Sequence, residues 1–408
     1  MKILVLNSGS SSLKFQLFEE ADGNLHALAS GLIEQIGAAE STSQLTFTDA
    51  SGLKKKLRQQ THVIDHREAI TQMTLLLKSS DTLADTNELI GIGHRVVHGG
   101  ETFKQPSKID NKVLAGIEEL IPLAPLHNPA NLMGIRMSME YAEQIPQVAV
   151  FDTAFHHSIP QHAYLYALPF ELYKQQKIRR YGFHGTSHSY VAQQAALHLD
   201  TPLENLKMIT LHLGNGASAA AINHGDCIDT SMGMTPLEGL VMGTRSGDLD
   251  PAILLYLSRK TGMNIDELDT LLNKKSGLKG ICGENDMRKI SQAAEQGEPL
   301  SSLALKLFCY RLKKYIGAYI AALGGIDCIV FTGGIGENSA VVRQMSCDDM
   351  QWLNLDIDKQ KNNKQQQGIF EIQTYNSQVK ILVIPTNEEY EIARQTLQVI
   401  NNSIRTTS

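Results

Sequence analysis

Two arginines stand in surroundings that call for an anion. Arg95 lies in the run Leu89 to Val97, Leu-Ile-Gly-Ile-Gly-His-Arg-Val-Val, apolar enough to be a buried strand. A guanidinium there is costly unless it meets a bound anion or a carboxylate of the protein itself. Arg245 sits in an irregular segment, Asp229 to Asp248, rich in Met, Gly and Thr. Long aperiodic segments inside a compact enzyme line active sites more often than they link domains. Phosphate chemistry is suggested by Ile3 to Phe18, which reads as strand, tight turn, strand, with Asn7 to Ser12 small and hydrogen-bonding and Lys14 supplying charge. Such a turn exposes backbone N–H groups, as a phosphate cradle needs. It is not a Walker A loop, because Lys14 lacks the preceding glycine and a strand follows instead of a helix. Alone, a Ser-rich hairpin is a plain turn more often than a nucleotide site. The pattern returns, however, where Met208 to Leu213 enters His212-Leu213-Gly214-Asn215-Gly216-Ala217-Ser218, and again where Cys328 to Phe331 enters Thr332-Gly333-Gly334-Ile335-Gly336-Glu337-Asn338. Three strand-to-glycine turns suggest a duplicated domain pair holding one nucleotide in its cleft. Asp152 ends the strand Val148 to Phe151, at the carboxyl end where α/β clefts open. His184 and His188 are spaced like two ligands on a helix face, but no HExxH is present and His184 precedes the helix, so zinc is discounted.

The elements that must position these groups are legible from periodicity. Residues 19–60 alternate short β-like pieces with turns and complete a first meander. Residues 66–79 carry Ile70, Met73 and Leu77 on one helical face. Asn128-Pro129 has the form of an N-cap followed by proline, so a helix starts just after His127. Another begins near Thr186 or Ser187 and runs to about Leu197. Asp250-Pro251 caps a third, and 265–273 form a fourth. The apolar-rich stretch 300–323 carries Lys306, Arg311, Lys313 and Lys314, which makes it a core helix and not a membrane span, and it stops at Gly324-Gly325. Residues 354–368 are polar and aperiodic and read as an exposed loop. Lys380 to Pro385 is a last strand and Glu389 to Ile400 a last helix, with Asn387 and Glu388 at its start.

Bulk properties exclude several classes. With 408 residues the chain needs two or three domains. Its 37 basic and 43 acidic residues give a net charge of −6, so no global basic field exists to hold nucleic acid. Lys54-Lys55-Lys56 reads as a solvated face. Ile3 to Leu6 is too short for a signal h-region, and five cysteines without a CxxC pair fit a reduced, cytoplasmic protein.

Taken together, NSGSSSLK near the N-terminus, GHRVVHGG at 93–100, FDTAFH at 151–156, YGFHGTSH at 181–188, HLGNGAS at 212–218, GTRSGDLDP at 243–251, FTGGIGEN at 331–338 and PTNEE at 385–389 resemble the acetate kinase family, in its order and approximate spacing. One departure is visible: Ser276 to Arg288 is one residue shorter than the family's usual pattern. The resemblance implies an α/β fold of duplicated actin/Hsp70-like (ribonuclease H-like) domains with an interdomain nucleotide cleft. Its N-terminal domain, 1–150, would be completed by about 385–408, and 151–384 would form the nucleotide-binding domain. The implied reaction is reversible, Mg²⁺-dependent (or Mn²⁺-dependent) in-line transfer from ATP to acetate, giving acetyl phosphate and ADP, by a cytoplasmic homodimer without membrane or nucleic-acid partners. A propionate or butyrate kinase of the same family is the near alternative. An actin-like or chaperone module that merely switches on ATP is a more distant one, and the two arginines count against it.

Residue by residue, the resemblance gives Asp152, His184 and Arg245 catalytic roles, with Asp152 orienting an arginine or the metal shell. Arg95 would bind the carboxylate, and Val97, Leu126, Phe183 and Pro236 would surround the methyl end, although core packing is the bland reading of Val97 and Leu126. Nucleotide contacts would come from Lys14, His212, Leu213, Gly214, Asn215, Gly216, Asp286, Met287, Arg288, Gly334, Ile335, Gly336, Glu337 and Asn338. Asn7 and Glu388 would orient the metal.

Overall fold

The computed structural model describes residues 1–49, 51–364 and 366–405. The chain divides into two compact units, one formed by Met1–Ala154 with Asn387–Ser408 and one by Phe155–Thr386.

The first unit is built on an eight-stranded sheet. Its strands are β1 Lys2–Ser8, β2 Ser12–Ala21, β3 Asn24–Glu34, β4 Ser41–Thr48, β5 Lys54–Thr61, β6 Leu89–Val96, β7 Ser107–Lys108 and β8 Gln147–Phe151, in the order β5-β4-β3-β2-β1-β6-β8-β7. β1 to β5 form an antiparallel meander, whereas β1, β6 and β8 run parallel. Because side chains alternate along a strand, β1 serves two cores at once. Leu4 and Leu6 join Phe15, Leu17, Ile70, Met73 and Leu77 on one face, under the helix His66–Ser79. Ile3 and Val5 join Phe18, Val148, Val150, Ile392, Ala393 and Ile400 on the other, under the helix Glu388–Arg405. Glycines in β6 permit this second packing: a Cβ at Gly91 would stand 2.2 Å from Ile400 Cδ1, and one at Gly93 2.4 Å from Thr396 Oγ1. The exposed edge strand β5 is basic from Lys54 to Arg58, a composition that discourages edge-to-edge pairing.

The second unit repeats the plan. β9 Lys207–Leu213, β10 Ala217–Asn223, β11 Asp226–Thr230, β12 Cys328–Thr332, β13 Phe370–Glu371 and β14 Lys380–Val383 are ordered β11-β10-β9-β12-β14-β13. Here β9, β10 and β11 are an antiparallel meander and β9, β12 and β14 are parallel. The five-strand order β3-β2-β1-β6-β8 of the first sheet therefore recurs as β11-β10-β9-β12-β14, and the expected ribonuclease H-like duplication is present in the topology itself. The helix Pro299–Leu323, capped by the Glu298 carboxylate and by left-handed Gly324, buries Phe308, Leu312 and Ile316 in this unit. Among the described residues no helix is long and apolar enough to cross a membrane.

Four readings of the sequence are corrected. Asn128 is inside the helix Asn128–Tyr141, not its cap. Its buried amide instead accepts from His98 N (3.2 Å) and donates to His98 O (3.1 Å), fixing the loop after β6. The run Gly333–Asn338 is a short helix and not a turn. Residues 354–368 are not simply a loop, since Lys359–Asn363 is helical and Asn362 is buried. A helix missed altogether, Met287–Glu295, starts at the N-cap Asp286.

Candidate active site

In the first unit, the motifs lie at the carboxyl ends of the parallel strands, where open α/β sheets carry their ligands. Leu6 pairs with His94, and Val96 with Phe151, so Asn7, Arg95 and Asp152 all lie at or just past the carboxyl ends of β1, β6 and β8. The Asp152 carboxylate, 1% exposed, accepts from Arg95 Nε at 3.1 Å on both oxygens and from Nη2 at 2.6 Å. Burial opposes the guanidinium charge, but Asp152, Glu388 and Glu389 more than offset it and raise the Arg95 pKa. A fifth of the Arg95 side chain stays open to solvent, enough to receive a second anion while Asp152 fixes the plane of the fork. Lys14 Nζ is paired with Glu389 Oε1 at 2.5 Å, and Asn7 is its cross-strand neighbour. Val97 is half-buried and Leu126 is 62% exposed, so neither side chain is core.

The second unit holds a donor cluster beside a cavity. A cavity of about 860 Å³ is lined by Gly214, Asn215, Asp286, Met287, Arg288, Gly334, Ile335 and Asn338, together with Asn285, Ser291, Glu295, Ser339, Ala340, Val341 and Asn363. That is the size of a small-molecule or cofactor site. Gly216 closes the turn that lines one end. A Cβ built there would be 3.5 Å from His184 Nε2 and 3.6 Å from Arg245 Nη1, so both side chains converge on the turn. Arg245 Nη1 donates to Pro236 O at 3.2 Å, and no carboxylate among the described residues forms an ion pair with it. Burial accordingly lowers its pKa. An arginine in this condition can receive an anion. The His184 ring stacks on His212 at 4.3 Å, and His212 Nδ1 meets Ser187 Oγ at 2.7 Å. Phe183 is buried beside them in sequence, and Pro236 is half-buried.

The far side of the cavity is braced from behind. Arg343 donates to Gly336 O (2.8 Å), Glu337 O (2.9 Å), Asn362 Oδ1 (2.7 Å) and Asn362 O (2.9 Å), tying the Gly333–Asn338 and Lys359–Asn363 helices together. Gly333 has φ +74°, and a Cβ there would be 2.8 Å from Leu213 O. The Asp286 carboxylate bonds to the Arg288 side chain, and that bond with its neighbours holds its pKa near 2.

A profile of the Acetokinase family matches residues 2–394. The chain belongs to that family. It is 51% identical over 404 residues to the acetate kinase of Syntrophobacter fumaroxidans, covering 99% of this chain and 98% of that one. It is 50% identical over 412 residues to that of Thermotoga maritima, covering 98% and 99%. Among solved structures, Porphyromonas gingivalis acetate kinase superposes with a TM-score of 0.91 at 43% identity, over 98% of this chain and 99% of that one. A propionate kinase from Francisella tularensis reaches 0.90 at 42%, over 97% and 99%. The fold is thus the one found in acetokinases.

Of the nucleotide residues expected from the sequence, eight line the cavity. Leu213 is wholly buried, so only its backbone can serve a ligand, and Glu337 accepts from Thr386 N at 3.2 Å. Lys14 belongs to the first unit, with Glu389. The cavity residues Ser291 and Glu295 escaped notice although they follow Met287 at i+4 and i+8, a period that would have revealed both the helix and its inward face.

Proposed function

We propose that this acetokinase-family chain is an acetate kinase, moving the γ-phosphoryl group of ATP to acetate in one in-line step to give acetyl phosphate and ADP. The observation that carries the reading is Arg245, a partly buried guanidinium without a carboxylate, converging with His184 on the glycine turn of a nucleotide-sized cavity. Phosphoryl transfer to a carboxylate brings anions together, so catalysis is mainly charge neutralisation and alignment. Acetate is already ionised at neutral pH, and no general base is needed. Arg245 and His184 would hold the oxygens of the moving phosphoryl group. Arg95, aimed by Asp152, would bind the acceptor carboxylate, while Val97, Leu126, Phe183 and Pro236 would form the apolar walls for its methyl group. The exposure of Val97 and Leu126 supports that use over core packing. His212, the 213–216 turn, Asp286, Met287, Arg288 and residues 334–338 would carry the nucleotide, with Lys14 contributing from the first hairpin.

Magnesium would be held by the Asn7 amide and the Glu388 carboxylate. What supports the reading is donor chemistry: an amide and a carboxylate offer hard oxygen ligands, and a cation that keeps most of its waters needs few of them from the protein. Bound there, it would neutralise phosphate charge.

The assembly proposed is a homodimer. It is supported by Leu300, Leu303, Leu307 and Tyr310, exposed at helical spacing along Pro299–Leu323, and light scattering should give twice the chain mass of 44.9 kDa. The alternative within the family is a propionate kinase, in which the acceptor pocket takes three carbons; the acetate kinase relatives at 50–51% identity support the acetate reading over it. Hydroxylamine trapping of acyl phosphate with ATP, Mg²⁺ and a series of C2 to C4 acids separates the two: acetate should have the highest kcat/KM, and a maximum at propionate would overturn the acetate assignment.

A further inference from the structure

His184 has a buried chain of hydroxyl and imidazole groups behind it. It is the N-cap of the helix Gly185–His198, at φ 58° and ψ 27°, a left-handed conformation that a residue with a side chain adopts only where its surroundings insist. His188 lies one turn further along the same helix. Beneath them Thr210 and His212 alternate on β9, and Ser218 faces His212 across the β9–β10 ladder. Thr210 Oγ1 lies 2.7 Å from His188 Nδ1, His188 Nε2 2.7 Å from Ser218 Oγ, and Ser218 Oγ 2.9 Å from His184 Nδ1. Thr210, His188 and Ser218 are each wholly buried.

We infer that Thr210, His188 and Ser218 are positioning residues that hold His184 as the neutral tautomer protonated on Nε2, on the edge of the ring that lies toward Gly216. The inference rests on the phosphoryl-transfer reading for its purpose, but its geometry stands apart from it. Ser218 has one proton to give. If that proton goes to His184 Nδ1, Ser218 must accept from His188 Nε2–H, and His188 Nδ1 then accepts from the Thr210 hydroxyl. The opposite polarity would spend the His184 proton on Ser218 and turn a lone pair toward phosphoryl oxygens. Burial holds the His188 pKa well below its ordinary value, so His188 has a single proton and the chain has a single direction at a time. With its Nδ1 lone pair engaged by Ser218, the His184 ring keeps its one proton on Nε2. What remains is a neutral donor, aimed before substrate arrives. The i, i+4 histidine spacing that looked like a metal pair is thus joined through one serine hydroxyl.

The test uses the full-length enzyme labelled with 15N-histidine, with long-range 15N–1H spectra to read each ring's tautomer and a His184→Gln variant to assign the signal. In the wild type His184 should show a protonated Nε2 and a bare Nδ1. Ser218→Ala should redistribute that proton and lower kcat by about 10- to 100-fold, with KM for ATP and for acetate within about twofold. Thr210→Val, nearly isosteric and remote from the phosphoryl group, should shift the same signals in the same direction with a smaller loss, which keeps the inference testable if Ser218→Ala folds poorly. A wild-type His184 protonated on Nδ1 would overturn it. So would variants that lose melting temperature while tautomer and kcat stay unchanged, since the hydroxyls would then be ordinary core hydrogen bonds. If no acid supported turnover, the phosphoryl-transfer reading would fail while the tautomer signals still decided the relay.

Discussion

Replacing Asp152 tests whether it acts through Arg95. Its carboxylate is 1% exposed and Arg95 keeps a fifth of its side chain in solvent. Breaking a buried pair from one side costs about 3–5 kcal/mol, because the remaining charge is stranded. Arg95→Ala takes the guanidinium from the more deeply buried of the two charges and should lie in that range. Asp152→Ala strands a guanidinium that water can reach and that Glu388 and Glu389 still attract, so about 2–3 kcal/mol is expected. The double variant removes both charges of the pair, and the cycle should show a coupling of about 2 kcal/mol or more. Urea unfolding followed by far-UV circular dichroism is the assay, since the single tryptophan, Trp352, lies in the other unit and would not report on this one. In kinetics Asp152→Asn should raise the KM for acetate more than it lowers kcat, as expected of a group that orients the carboxylate's arginine. Additive stabilities, within about 0.5 kcal/mol, would refute the pair. Complete loss of turnover in Asp152→Asn would point to a nucleophile instead of an orienter.

Arg245→Ala should lower kcat by about 10² or more with ATP affinity nearly unchanged, which stopped-flow turnover and calorimetric titration check; near wild-type turnover would remove Arg245 from the transition state. Val97→Ala should raise the propionate-to-acetate ratio of kcat/KM about tenfold, the worth of one methylene in an apolar pocket, and an unchanged ratio would take Val97 out of the acceptor site. Gly333→Ala combines a positive φ with a contact 2.8 Å from Leu213 O, so it should destabilise the second unit by more than about 1 kcal/mol; an unchanged melting temperature would contradict the close approach. Burial lowers the pKa of His94 and His98 to about 4 from 6.5. As pH falls from about 6.5 toward 4 the unfolded chain binds these two protons and the native first unit does not, so its stability should drop by up to about 3 kcal/mol per pH unit. A urea midpoint unchanged between pH 7 and 5 would refute that.

The repeated strand-to-glycine pattern was readable because β1 and β9 keep their short apolar runs ahead of turns that need small residues. The ends of the long helix were also readable, since Pro299 and Gly324 are strong local signals. Gly333–Asn338 misled because a glycine-rich run has almost no helix propensity of its own. That helix exists through Arg343, whose four bonds to Gly336, Glu337 and Asn362 are tertiary. The same bonds explain the Lys359–Asn363 helix inside a stretch that looks like solvated loop. In the site, Arg95 could be seen to need an anion but not which one, because Asp152 follows the neighbouring strand, 57 residues away. The chain behind His184 was invisible for a related reason: its members come from one helix and two strands, and only the β9–β10 register brings Ser218 opposite His212.

The central claim is most directly tested by following ATP, acetate and Mg²⁺ with the purified chain by 31P NMR. An acyl phosphate resonance should grow in step with ADP and disappear when acetate is withheld. ADP accompanied only by inorganic phosphate, at a rate indifferent to acetate, would contradict it.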